Sequence, residues 1–336
     1  MSSKNINIVC QCIILATVIS SCVQNSTEKI MYNDFPVKDS IYGRSLVGAD
    51  SLPVCVPMFS TGEWLVTHQW QNKKRPFHFY RLGDLEDSFD AGFIGHGNNE
   101  FTFIDYSAFF PMPDGSFYLL DNDRLKCVAL QEDRSLQTVS VQKTFSQIPV
   151  NGFVLCGEDK CVSFADCAMG TTGDLEYRIL DLSSGQEKKF SPYPFFHRGN
   201  LDQDELCQLY HKKLFSNANT RKLMAFYSRF PYIRLYDGFT KLTKEVQIGE
   251  RETVTDPSQA KMYFGNCYST ADYVIVKSPI GLQVWSWEAE PLALLYPDND
   301  IAFFCVNSSK GLLYAQVYDK EYDCYRLYSY VLPSLM

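Results

Sequence analysis

The stretch Gly92-Phe93-Ile94-Gly95-His96-Gly97-Asn98-Asn99-Glu100-Phe101 sets three glycines around a histidine and ends on a carboxylate. Two chemistries use such residues. Glycine amides ahead of a helix N-terminus can cradle a phosphate, and His96 with Glu100 and nearby Asp105 could contribute ligands to a metal. The phosphate reading fails on the next ten residues, because "FTFIDYSAFF" reads as strand and holds no helix start. The metal reading rests on scattered ligands. The simplest account is geometric: the glycines permit positive φ where the chain crosses from one sheet to the next, with Phe101 plugging the gap. Elsewhere, no G-x-S-x-G elbow occurs, and His68, His78, His96, His197 and His211 sit in no triad signature.

Sulfur chemistry is the second candidate. Of the 12 cysteines, none forms a CxxC pair, and none has the His or Cys company of a zinc site. Cys156 and Cys161 flank "GEDK" and could face each other across a hairpin, but two small buried thiols are the favoured reading. Cys22 differs. It ends "MSSKNINIVCQCIILATVISSC", which has one early cation (Lys4), an apolar core from Ile8 to Ile19 and small residues before the cysteine, the pattern of a secretory signal. The apolar run is about a dozen residues, short of the ~20 a helix needs to span a bilayer. Residues 1–21 are expected to be the signal, and the polar segment 22–37 a tether.

Composition bounds the rest. The 336-residue chain is 46% hydrophobic and 21% charged, so it can bury a large core. Its 24 Phe and 21 Tyr favour strands. A formal charge of -8 excludes nucleic acid or an acidic lipid surface as an electrostatic partner. No motif asks for a cofactor.

A repeat organises these elements. Each unit reads as an apolar strand, a polar turn, a second apolar strand, a loop, and a third strand in period-two alternation. The third strands form the clearest column: "FHFYRL", "LKCVAL", "EYRILDL", "YIRLYD", "LQVWSW" and "YRLYSYV". Fourth runs such as "LQTVSVQK", "LTKEVQIG" and "PLALLYP" come after most of them. Six units at roughly 40 to 60 residues predict an all-β, six-bladed β-propeller over residues 38–336. The last unit lacks a fourth strand, so an N-terminal strand within "SIYGRSLVG" (40–48) is expected to close it. A short helix or an extended loop is expected within "LDQDELCQLYHKKLF".

These motifs carry two resemblances. Ile19-Ser20-Ser21-Cys22 resembles the bacterial lipobox, which implies acylation of Cys22. "VQNS" after it lacks the aspartate of inner-membrane retention, which implies the outer membrane on its periplasmic side. "GFIGHGNNEF" with "PDGSFYLLDNDRL" after it resembles the repeat of NHL-type six-bladed propellers, and the whole chain is similar to TolB-like propeller lipoproteins of Bacteroides and relatives. The strong likeness covers residues 92–130; the other units lack the Gly-rich segment. The expected role is a binding scaffold for a protein or glycan partner at the cell envelope, held to the membrane by its lipid alone. Its alternative is a calcium-dependent hydrolase or lactonase using the tunnel, which needs carboxylates and amides converging from several inner strands. The inner strands are largely apolar, with Asn266 and Asn307 as their best polar candidates.

Binding is therefore the expected role. One face of a propeller carries the loops from second to third strand and from each outer strand to the next inner one. There the sequence places His68, Trp70, Lys73, Lys74, Arg75, His96, Arg124, Arg229, Tyr232, Asp319 and Tyr322, residue types that anchor partners.

Overall fold

The computed structural model describes residues 27–46, 51–52, 54, 56–72, 74–145, 152–164, 175–194, 205, 208–249 and 261–334, with the backbone alone at Tyr106 and Ser107. Three N-terminal strands come first: β1 (Glu28–Tyr32), β2 (Val37–Ile41) and β3 (Gly43–Ser45). Blade 1 is β4 to β7 (Met58–Thr61, Trp64–His68, Phe77–Arg81, Asp84–Ala91), and blade 2 is β8 to β11 (Ile104–Pro111, Phe117–Asp121, Arg124–Leu130, Leu136–Lys143). Blade 3 is β12 to β15 (Val154–Leu155, Lys160–Phe164, Leu175–Asp181, Glu187–Pro192), and blade 4 is β16 to β19 (Lys212–Asn217, Lys222–Tyr227, Tyr232–Asp237, Lys241–Ile248). Blade 5 is β20 to β23 (Cys267–Ser269, Tyr273–Ser278, Gly281–Ser286, Pro291–Pro297) and blade 6 is β24 to β26 (Ile301–Asn307, Leu312–Asp319, Cys324–Val331). Within each blade the strands pair in chain order, giving six antiparallel sheets. The predicted all-β six-bladed propeller is the observed fold.

The aromatic alternation read in the third strands is what fills the gaps between blades. Phe77, Phe79, Phe101 and Phe117 form one interblade core, and Tyr177, Tyr210, Tyr227 and Tyr236 another. In blades 1, 2, 4 and 5 the third strand slips register against the fourth, a recurring bulge that adds the twist a radial sheet needs.

The sixth blade closes as expected. β3 lies antiparallel on β26, with Gly43 opposite Tyr330, and the clasp continues through Leu46 N–H to Leu327 O (2.9 Å) and a Leu52–Tyr325 bridge. Sheet structure begins earlier than residue 38, however. The segment expected to be a tether, 22–37, is strand from Glu28 onward: β1 lies parallel on β19 of blade 4 and β2 parallel on β23 of blade 5. The reason is apolar alternation too sparse to stand out. Tyr32 and Phe35 reach the Trp285 ring at 6.2 and 5.2 Å and join the core between blades 4 and 5.

The signal segment 1–21 and Cys22 lie outside the described residues. Most of the expected helix does too; residues 208 and 209 are helical, and Leu209 and Tyr210 are buried between blades 3 and 4. No helix among the described residues is long and apolar enough to cross a membrane.

Candidate functional site

The glycine-rich stretch is the crossover from β7 to β8, and it binds an anion of its own. Glu100 folds back so that its carboxylate accepts the Gly97 N–H at 2.7 Å. A Cβ on Gly95 would collide with Glu100 Oε2, and one on Gly97 would lie 3.0 Å from Glu100 Cδ. Only Gly92 uses positive φ, at 80°; the other two glycines serve close approach instead. Phe101 is fully buried and meets Phe77 edge-on at 5.6 Å, the expected plug. Behind it, Asp121 accepts the N–H groups of Thr102 (3.0 Å) and Phe103 (2.7 Å) and pairs with Lys126 at 2.7 Å. Lys126 also donates to Glu100 O at 2.6 Å. The crossover is thus pinned by backbone contacts to a buried ion pair. His96 stands exposed on this loop, and Asp105 is buried. No cluster of three His, Cys, Asp or Glu residues suited to a metal occurs among the described residues.

Around this crossover the structure gathers part of the predicted face. Trp70 is 60% exposed at the tip of the β5–β6 loop, held by Asn72, whose side chain accepts the Lys74 and Arg75 N–H groups. The Arg75 guanidinium lies 4.8 Å over the Phe93 ring and donates to Asp90 O. Phe93 (51%), Ile94 (43%) and Phe103 (66%) are exposed beside it. Asn122 N–H donates to Phe103 O, which brings the β9–β10 turn and the exposed Arg124 to the same edge. Phe93, Ile94 and Phe103 are additions to the expected face. Their signal in the sequence is the pair Phe93-Ile94 between two glycines, apolar residues on a crossover where strand alternation does not operate.

Other predicted residues go elsewhere. His68 is only 4% exposed, packed between Phe77 and Phe109, so it belongs to the core and not to the face. Tyr232 is 6% exposed, turned into the interblade core by strand alternation in β18. Arg229 is half-buried on blade 4. Tyr322 is exposed on blade 6 under the Arg326 guanidinium, which also pairs with Asp319 at 3.0 Å. Both share the face with Trp70, Arg229 across the ring on blade 4 and Tyr322 on blade 6, the neighbour of blade 1. Lys73 lies outside the described residues.

A buried charge cluster joins blades 3 and 4. Glu176 accepts from Lys212, from Arg234 at 3.0 Å and from Tyr227 at 2.7 Å, and all three charged residues are almost fully buried. The Lys212 ammonium lies 4.9 to 5.5 Å from the rings of Phe164, Tyr177, Tyr193 and Tyr227, and Arg234 is shared with Glu245 at 2.9 Å. Burial pushes the Tyr177 and Tyr227 hydroxyls well above the ordinary phenol range. Every charge here has its partner, which is the condition for burying it.

The inner strands of all six blades enclose an axial cavity of about 1130 Å³. Many of its polar side chains are spent stapling one blade to the next. Ser60 donates to Val306 O, Thr61 to Gly115 O, Ser216 to Leu155 O, Asn217 to Ala271 O and Asn266 to Ala302 O. Asn307 caps the turn at Ser308–Lys310. Asn266 and Asn307, the calcium candidates, therefore commit their side chains to structure. Cys156 and Cys161 are separate buried thiols, the latter pushed up by burial to about 12. His211, at one end of the cavity, is held down to about 4 by burial and by the nearby Lys213, Lys212 and Arg229 charges.

Fold and site together define a six-bladed β-propeller with an aromatic patch on its loop face. No family model and no curated protein matches the chain. Among solved structures, a member of the DUF4221 family from Bacteroides vulgatus is similar, with a TM-score of 0.54 at 10% identity, covering 88% of this chain and 97% of that one. A protein of Bacteroides fragilis named as exported is similar at TM-score 0.52 and 9% identity, covering 90% and 98%. At these identities the likeness is one of fold.

Proposed function

We propose that the protein is a cell-envelope lipoprotein of the NHL-like or TolB-like propeller type that binds a protein or glycan partner without chemistry. The observation that carries this is the patch of Trp70, Arg75 stacked on Phe93, Ile94 and Phe103, large apolar groups left in water on loops pinned from beneath. Aromatic and Arg side chains held rigid in this way lose little entropy on docking and are the usual anchors of interfaces. His96 and Arg124 edge the patch and supply polar contacts. The Ile19-Ser20-Ser21-Cys22 lipobox supports acylation at Cys22 after removal of residues 1–21, and multiple acyl chains hold stably to a membrane. The residues after Cys22 favour the outer membrane, facing the periplasm.

The test is a pull-down of the intact lipoprotein from envelope extracts, with a Trp70→Ala/Phe93→Ala double variant beside the wild type and a glycan array run on both. A partner or glycan captured by the wild type and lost from the variant is the expected result. Identical capture by both would overturn the assignment of the patch.

A further inference from the structure

The axial cavity has a chemistry separate from the loop face. Its volume, about 1130 Å³, lies just above the usual range of ligand cavities. Beside the hydroxyls and amides committed to stapling, half-buried aromatic rings supply its apolar wall. Phe109, Phe215 and Phe303 line it from blades 2, 4 and 6, and Tyr268 reaches from blade 5 across to Ser60 of blade 1.

One cation breaks this wall. Lys213, second residue of β16, is half-buried among the lining residues and forms no hydrogen bond or ion pair among the described residues. Its neighbour Lys212 differs completely, since Glu176 and four rings satisfy it. The one carboxylate lining the cavity among the described residues, Glu158, is exposed in the β12–β13 turn, at the other end of the axis. The two are about four strand positions apart, on the order of 13 Å, too far for a pair. An ammonium on a low-dielectric wall without a counter-ion is costly, and an incoming anion removes that cost. His211 beside it is held neutral and supplies no competing charge.

We propose that the axial cavity binds an organic carboxylate with an apolar body, its acid group on Lys213 and its body against Phe109, Phe215, Phe303 and Tyr268. Fatty acids and aromatic acids share this chemistry, and the test separates them.

Sodium dodecanoate and sodium 3-phenylpropionate are titrated by calorimetry into the folded mature protein, with dodecanol and 3-phenylpropanol as neutral controls. One-to-one binding of at least one acid is expected, weakened tenfold or more by Lys213→Met and retained by Lys213→Arg. The Trp70→Ala/Phe93→Ala variant should bind the acid as the wild type does, which keeps this outcome independent of the loop-face reading. Preference for dodecanoate would assign a lipid-derived acid, and preference for phenylpropionate an aromatic one. Absence of binding by the wild type, or equal binding by Lys213→Met with its melting temperature intact, would overturn the proposal.

Discussion

At the scale of single residues, the same side-chain types do opposite work according to which way the backbone turns them. His68 ends β5 one residue before the loop that carries Trp70, and a shift of two positions takes the chain from core to solvent. Its Nδ1 has no hydrogen-bond partner among the described residues, and burial holds the ring down to about 4. The ring is therefore neutral in the folded protein at pH values where an unfolded histidine is protonated. A group whose folded pKa is depressed in this way contributes stability above its unfolded value, near 6.5, and that stability is lost as the pH falls toward 4. The loss amounts to up to about 3 kcal/mol. Thermal melts between pH 7 and pH 4 should show the wild type losing stability faster than His68→Phe, which removes the titrating ring and keeps an aromatic in the slot. Parallel curves would reject this role for His68. Sequence alone could not separate His68 from His96, because both neighbour loops; what decides is whether alternation still governs the backbone at that position.

At the scale of elements, the strands were legible and the side-chain contacts between blades were not. All six third strands predicted from period-two alternation are present; successive residues point to opposite faces of the radial sheet, and both faces are buried against neighbouring blades. The same alternation hid a charge network. Glu176 in "EYRILDL" and Arg234 in "YIRLYD" were visible as charges on core-facing positions, yet they sit in different blades, 58 residues apart. Pairing across that distance is a property of the ring. The network predicts an ordering of variants. Glu176→Gln removes the buried carboxylate charge that Lys212, Arg234 and Tyr227 share and should cost about 3 to 5 kcal/mol. Lys212→Met leaves Glu176 still bound by Arg234 and Tyr227 and fills the space with an apolar chain, so it should cost clearly less. Urea denaturation of both measures this, and a reversed order would show that Lys212 and not Glu176 is the hub. The stapling side chains of the inner strands are hidden in the sequence for the same reason: a serine donating to the next blade's carbonyl looks like any other serine.

At the scale of the whole molecule, the ring and its closure from the N-terminal side were legible, and the depth of that closure was not. Three strands, not one, are laid over the outer edges of blades 4, 5 and 6. "NSTEKIMYNDF" reads as a tether because two of its apolar residues, Tyr32 and Phe35, find their core only in another blade. The final clasp depends on a close approach. A Cβ at Gly43 would stand 2.5 Å from the ring of Tyr330, which is fully buried and cannot swing away. Gly43→Val should therefore destabilise the domain by roughly 1 to 3 kcal/mol through overpacking, lowering the melting temperature and exposing the β26 edge. An unchanged melting temperature would mean that β3 does not close the ring.

The laying of β1, β2 and β3 on β19, β23 and β26 also sets an order of events. The segments that leave the ribosome first have partners that arrive last; Gly43 finds Tyr330 only after nearly 290 intervening residues. Pairing of such sequence separation is slow to form, and the open edges of blades 4 to 6 remain exposed until it does. The molecule therefore emerges as an unclosed arc whose completion waits on its last strand, and in the interval its survival rests on whatever shields those edges.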